Sequence, residues 1–347
     1  MAGTGNAHLR PDEAVLSVED LVVEYHTNAG VVHAVSGISF DLAARETLGL
    51  VGESGCGKSS AGRAVMQLPS PTSGSVSLGL VELTDLGEEK LRRVRSRMQM
   101  IFQDPISSLN PRRKIHDIVA EPIRVWEGRK TPDETERVRK ALTSVGLDPD
   151  QVWDRRAHEL SGGQCQRVCI ARTLVLDPQV VICDEPVSAL DVSVQAQILN
   201  LLEEMKAEYD LSLVFIAHDL AVVKNISDRV MVMYLGKACE VAPSAALYER
   251  PAHPYTRVLL ASIPEPDPDA PEADVAVTGE LPSPLDPPSG CRFRTRCPRA
   301  DARCASEEPI LTEVGPDHFV ACHHPHDGPL VEVAVATPAA DAPGGGS

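Results

Sequence analysis

Nowhere in this 347-residue sequence do apolar residues run for the roughly 20 positions that a bilayer-spanning helix needs, so any work at a membrane has to come through other chains. Basic residues are also scarce: 33 Lys and Arg stand against 50 Asp and Glu, a net charge of −17. So acidic a chain is a poor partner for nucleic acid, whose phosphates are met by Lys and Arg. The acidity reads instead as solubility in the cytosol. The N-terminus carries Arg10, Asp12 and Glu13 and lacks the apolar stretch of a secretory leader. Residues 1–14 and 329–347 are expected to be disordered. No internal repeat is visible.

What is present is an α/β pattern over residues 15–262. Short apolar runs at Thr47–Val51, Val180–Cys183, Leu213–Ala217 and Val230–Tyr234 suit buried strands. Helical spacing lies between them: Val194, Ile198, Leu201, Leu202 and Met205 share one face, as do Val138, Leu142 and Val145, with Gly146 as a C-cap. Alternating strands and helices imply a largely parallel sheet. The segment Leu78–Leu86 is less regular. From Pro264 to Pro288 prolines recur and no core is possible, so an extended connector is expected. A cysteine-rich unit follows, from Cys291 to about His326.

Four signatures occur in order: GESGCGKS (Gly52–Ser59), LSGGQ (Leu160–Gln164), VVICDE (Val180–Glu185) and AHD (Ala217–Asp219). The first follows an apolar strand and opens a helix, the context of a phosphate loop. Glycines at 52, 55 and 57 let successive backbone N–H groups, those of Ser54 and Cys56 among them, turn toward phosphate. The helix N-terminus adds partial positive charge. Lys58 is expected to reach the β- and γ-phosphates, Ser59 to bind Mg²⁺ and Ser60 to add a hydroxyl contact. Asp184 and Glu185 end a buried strand, where ligands gather in parallel sheets. Asp184 is expected to hold Mg²⁺ and Glu185 to polarise the attacking water. Neighbours on a strand face opposite sides, so one of the two has to leave strand geometry. A phosphate loop followed by LSGGQ and then an apolar run ending in Asp-Glu is the pattern of an ATP-binding cassette, which works in pairs.

The strings FQDPISSLNPR (Phe102–Arg112), LSGGQCQRV (Leu160–Val168), CDEPVSALDVSVQAQ (Cys183–Gln197), FIAHDLAVVK (Phe215–Lys224), HPYTRVLL (His253–Leu260) and GELPSPLDPPSGCRFRTRCP (Gly279–Pro298) go further. Over about residues 15–326 the sequence resembles the ATP-binding subunits, F-type, of ABC importers for oligopeptides and dipeptides. The resemblance implies a cassette fold with a helical subdomain at about 105–175 and a small Cys-rich extension over 263–328. It implies that Tyr25 stacks on adenine, that Gln103 links Mg²⁺ and water to the membrane-subunit interface, and that His218 contacts the γ-phosphate. Ser161, Gly162, Gly163 and Gln164 would touch ATP held by the opposite chain, and Asp191 would lie at the dimer axis. Cys165 stands where many cassettes have Arg and is read as a packing residue. The implied partners are a second, different cassette subunit, two membrane permeases and a peptide-binding protein; nucleic acid is not among them. The implied location is the cytoplasmic face of the cell membrane.

Cys291, Cys297, Cys304 and Cys322 are spaced like neither a paired zinc ribbon nor a ferredoxin run. A short unit without a core still suggests a metal staple, and Arg292, Arg294, Arg296 and Arg299 would offset thiolate charge. The family resemblance favours a [4Fe–4S] cluster, with zinc or no metal as alternatives and His323 or His324 as substitute ligands for Cys322. Two rival functions are a nickel or other small-solute importer and, less in keeping with the chain, a soluble cassette ATPase of DNA repair. The latter class inserts a coiled coil or zinc unit between phosphate loop and signature, and no such insertion fits between Lys58 and Ser161.

Overall fold

The computed structural model describes residues 5–263 and 280–329. Most of the expected connector, 264–279, and the last residues, 330–347, lie outside that range.

The chain opens with β1 (Ala14–Thr27) and β2 (Gly30–Ala43), then β3 (Thr47–Val51) and α1 (Lys58–Val65). Next come β4 (Ser73–Leu78), β5 (Val81–Glu82), α2 (Glu88–Val94) and β6 (Met98–Ile101). A helical stretch follows: α3 (Pro105–Ser108), α4 (Ile115–Glu127), α5 (Glu134–Ser144), α6 (Pro149–Val152) and α7 (Gly162–Leu174). The chain returns through β7 (Val180–Asp184), α8 (Val192–Glu208), β8 (Ser212–Ala217), α9 (Leu220–Ile226), β9 (Arg229–Tyr234) and β10 (Lys237–Pro243). It ends with α10 (Ser244–Glu249), α11 (Pro254–Ala261), α12 (Ala302–Ser306), β11 (Thr312–Gly315) and β12 (His318–Val320).

Two sheets result. A four-stranded antiparallel sheet has the order β2-β1-β4-β5, and an eight-stranded sheet the order β11-β12-β10-β9-β3-β8-β7-β6. In the larger sheet β9, β3, β8, β7 and β6 are parallel. Period-2 alternation divides their side chains between two cores. On β8, Leu213, Phe215 and Ala217 face the helical side, while Val214 and Ile216 face the small sheet and α1. β7 does the same, with Val181 and Cys183 opposite Val180 and Ile182. A strand buried on both faces has to be apolar throughout, which is why these runs stand out in the sequence.

The irregular segment Leu78–Leu86 forms the end of β4 and the two-residue β5, with Leu80 fully exposed at the turn between them. Residues 5–13, expected to be without structure, are held in place. His8 is buried and its Nε2 lies 2.7 Å from the Ser39 carbonyl oxygen. Arg10 pairs with Asp41 at 2.9 Å and Glu46 at 2.6 Å, carboxylates that Arg229 also meets. Burying two carboxylates requires cations, and the N-terminal segment supplies one of them.

The cysteine-rich extension is no separate appendage. Its β12 pairs antiparallel with β10, so the β11–β12 hairpin continues the main sheet. Phe293 and Val320 are buried. The boundary expected near residue 262 is a change of composition, not a gap in packing.

Candidate functional site

The C-terminal ends of four adjacent parallel strands deliver the site. The phosphate loop leaves β3, Gln103 follows β6, Asp184 and Glu185 end β7, and His218 follows β8. They meet around a cavity of about 490 Å³ lined by Tyr25, Val32, Ala34, Ser54, Gly55, Gly57, Lys58, Ser59, Ser60, Gln103, Glu185, His218 and Pro284.

Close contact shapes the loop. Gly57 has φ +104°, and a Cβ there would stand 2.1 Å from the Ala34 carbonyl oxygen. A Cβ on Gly52 would stand 2.1 Å from the Met233 oxygen. Neither Gly52 nor Cys56 lines the cavity. The Cys56 thiol is buried and pushed up in pKa by desolvation, so only its backbone is suited to meet phosphate. Lys58 is also buried and donates to the carbonyls of Gly52 at 2.7 Å and Glu53 at 3.0 Å.

Asp184 and Ser59 come together as the sequence suggested. The Ser59 hydroxyl donates to Asp184 Oδ1 at 2.6 Å. Asp184 is fully buried, and its Oδ2 has no hydrogen-bond partner; the nearest cation is Arg63, at 3.7 Å. Burial raises the carboxyl's pKa, a shift opposed by Ser59, Arg63 and Lys58. A hydroxyl beside an orphaned, desolvated carboxylate oxygen is a donor set suited to a hard divalent cation.

Glu185 solves the geometric problem posed by two adjacent carboxylates. Its φ is +47°, so the chain leaves strand geometry at that residue. Its carboxylate lines the cavity while that of Asp184 stays beneath Ser59. Gln103 Nε2 donates to Glu185 Oε2 at 3.0 Å, and His218 Nδ1 lies 3.3 Å from the same oxygen. Gln103 also lines a second groove of about 640 Å³, with Phe102, Asp104, Ser107 and Trp126. One side chain thus stands between the cavity and an outer surface.

The signature residues are elsewhere. Ser161 caps α7, accepting from the Gln164 N–H at 3.3 Å while the Gln164 side chain accepts from the Ser161 N–H at 3.0 Å. Gly163 abuts Val194 so closely that a Cβ would meet its Cγ1 at 2.7 Å. Asp191 caps α8 through the Val194 N–H at 3.0 Å. None of these lines the cavity. Cys165 is buried, with its Sγ 3.4 Å from the Ala157 oxygen, as a packing residue should be.

Sequence reasoning missed Val32, Ala34 and Pro284. Val32 was recoverable, since it lies across the β1–β2 hairpin from Tyr25. Pro284 was not: it reaches the cavity through a tertiary contact, its carbonyl accepting from the His33 N–H at 3.0 Å.

The four tail cysteines line one small cavity with His253, His323 and His324. All are free thiols. Desolvation pushes Cys291 up to about 11 and Cys322 to about 12. Among the described residues, the only set of possible ligand atoms within 4.8 Å of one another is Asp301, Cys304 and His324. Of the two histidines expected as substitutes, His323 lies 3.1 Å from the Glu307 oxygen, while His324, 2.9 Å from Asp301, belongs to that set.

The buried Asp184 yields a test. Its raised pKa means that ionisation costs the fold stability, a cost that appears as pH rises through the interval between the ordinary carboxyl value and the raised one. Asp184→Asn should therefore melt at a higher temperature than the unsubstituted chain at neutral pH without nucleotide. It should also lose any further stabilisation that Mg²⁺ adds to bound nucleotide. Thermal melts with and without Mg²⁺ check both; a lower apo melting temperature would contradict the first.

Comparison with known proteins agrees with this geometry. Residues 35–188 match the ABC transporter family and residues 239–304 the oligopeptide/dipeptide transporter C-terminal region. The oligopeptide transport ATP-binding protein OppF of Escherichia coli is 49% identical over 91% of this chain and 98% of its own length. AppF of Bacillus subtilis is 49% identical over 86% and 92%. Among solved structures, cbiO1 from Clostridium perfringens, part of the transporter complex cbiONQ, superposes with a TM-score of 0.60 at 28% identity, covering 68% of this chain and 91% of its own. The dimeric cassette MJ0796 superposes with the same TM-score at 24% identity, covering 66% and 98%, a likeness of fold. With near-half identity along almost its whole length, the chain belongs to the ABC transporter family, among its oligopeptide-transport ATP-binding proteins.

Proposed function

We propose that this chain is the ATP-hydrolysing subunit of an importer that carries oligopeptides or dipeptides, acting at the cytoplasmic face of the cell membrane. The observation that carries the reading is the single cavity in which phosphate loop, Gln103, Glu185 and His218 meet, with Asp184 bonded to Ser59 beneath it. The cargo class rests on the relatives' names and on the matched C-terminal region.

Each residue then has a task. Tyr25 and Pro284 receive the base, with Val32 beside them. The loop N–H groups and the start of α1 take the phosphates. Lys58 exchanges its loop carbonyls for phosphate oxygens. Ser59 and Asp184 would hold Mg²⁺, which when bound neutralises charge on the β- and γ-phosphates. Glu185 accepts a proton from the attacking water. Gln103 and His218 both engage Oε2, which fixes the carboxylate and leaves Oε1 without a protein partner among the described residues. His218 contacts the γ-phosphate from the β8 end.

Ser161–Gln164 and Asp191 lie outside this cavity, and that supports pairing with a second cassette, a different chain in our reading. There the signature would close on ATP held by the partner, its α7 N-terminus facing phosphate. The groove beside Gln103 is flanked by exposed Phe102 and Ile106 and suits a segment of the membrane permeases. A peptide-binding protein would supply the cargo.

For the tail, we infer that Cys291, Cys297, Cys304 and Cys322 would hold a [4Fe–4S] cluster as a structural staple. Their convergence on one cavity supports a thiolate site. No three of their sulfur atoms lie within 4.8 Å of one another, whereas thiolates sharing one zinc ion stand about 3.8 Å apart; that supports a cluster, whose thiolates bind separate irons.

Glu185→Gln should bind ATP normally and hydrolyse it roughly 10²–10⁴-fold more slowly, accumulating as a closed dimer; unchanged turnover would refute the base assignment. Uptake of labelled di-, tri- and pentapeptides should vanish in cells carrying Lys58→Ala while nickel uptake persists. Loss of nickel uptake alone would assign the chain to metal import. Anaerobically purified protein should contain iron and sulfide in near-equal amounts; one zinc per chain and no iron would overturn the cluster.

A further inference from the structure

We propose that the cysteine-rich extension sets ATP affinity through Arg296, which holds and neutralises Glu53 inside the phosphate loop. The inference rests on the nucleotide-site reading above. Glu53 is the second residue of GESGCGKS, an anion in a loop built to receive anions. Left alone, its partly exposed carboxylate would repel the incoming triphosphate.

Arg296 answers it in a two-pronged geometry. Its NH1 donates to Glu53 Oε2 at 2.8 Å and its NH2 to Oε1 at 3.1 Å. The Arg296 side chain is 11% exposed and that of Glu53 27%, so solvent only partly screens the pair. The guanidinium also stands 5.8 Å from the centre of the Tyr234 ring. That ring belongs to a cluster with Tyr255 and Phe293, at centroid distances of 4.8 Å and 5.2 Å. The Tyr255 hydroxyl accepts from the Glu53 N–H at 2.8 Å.

Glu53 is thus gripped at its amide and its carboxylate, and its carbonyl accepts from Lys58 and from the Cys56 N–H. When Lys58 turns to phosphate, the loop loses one of these anchors and the other three remain. Phe293 and Arg296 both come from the extension, between Cys291 and Cys297. The same extension reaches the far end of the cavity with Pro284. Arg296 is a positioning residue: it acts on phosphate through Glu53.

The test is steady-state ATPase of the assembled transporter carrying substitutions in this chain. Arg296→Ala should raise the KM for ATP about tenfold and leave kcat within about twofold. Arg296→Lys should recover part of the loss. Adding Glu53→Gln to Arg296→Ala should return KM to within about threefold of the unsubstituted complex, because the unpaired charge is then gone. Arg296→Gln serves as a second variant should the alanine form fail to fold. An unchanged KM with a lower melting temperature would overturn the proposal and make the pair merely structural. A double variant as impaired as the single one would overturn the charge account. An unsubstituted complex without ATPase activity would instead overturn the nucleotide-site reading, and this inference with it.

Discussion

Parallel pairing of β3, β8, β7 and β6 is the constraint from which the site follows. The registers set Val51 beside Ala217, Asp184 beside Ile216, and Ile101 beside Cys183. All four strands therefore end on one edge of the sheet. Whatever follows each strand, whether loop, glutamine, carboxylate pair or histidine, is brought to the same place without any further device. The cost is that these strands are covered on both faces. That demands two cores, one built with the helices and one with the small antiparallel sheet. The small sheet repays the arrangement by carrying Tyr25 to the outer rim of the cavity.

Within that edge, charge is distributed with care. Asp184 is buried with one oxygen unbonded, a configuration that disfavours the empty fold. Glu185 is turned out by a left-handed residue, a conformation costing of order 1–3 kcal/mol for a side chain other than glycine. Lys58 is spent on carbonyl groups of its own loop. Of these, the unbonded Asp184 oxygen is the loss that a bound cation would reverse, and to that extent the site favours the loaded state. Stability lost here is recovered elsewhere, in the apolar layers and in the ion network that gathers Arg10, Arg229, Asp41 and Glu46.

What could be read from the sequence was whatever is local. The phosphate loop needs small residues at fixed offsets, and buried strands need unbroken apolar runs, so both announce themselves. The pairing of Ser59 with Asp184 followed from motif order. The need for one carboxylate to leave strand geometry followed from the two-residue repeat, and Glu185 is where it happens. Contacts between distant segments were not legible. Pro284 lay in what read as a connector, and nothing in its neighbours points to the cavity that it lines. His8 and Arg10 looked like a loose terminus because their partners, Ser39, Asp41 and Glu46, are acidic or polar residues of an unremarkable strand and turn. The cysteine tail read as a unit without a core because its core, around Phe293 and Val320, belongs to the main sheet.

That shared core changes what the extension can do. A unit tethered by a proline-rich connector alone could stiffen or loosen without the cassette sensing it. This one is hydrogen-bonded to β10, lends Phe293 to an aromatic cluster beneath the phosphate loop, and sends Arg296 to the loop itself. Any event that loosens the cysteine cavity has a short mechanical route to Glu53, through residues that adjoin Cys291 and Cys297 in sequence. If ATP binding senses that route, reciprocity of coupling requires that a filled phosphate loop steady the cysteine cavity in turn. The extension thus shares its core and one ion pair with the cassette it follows.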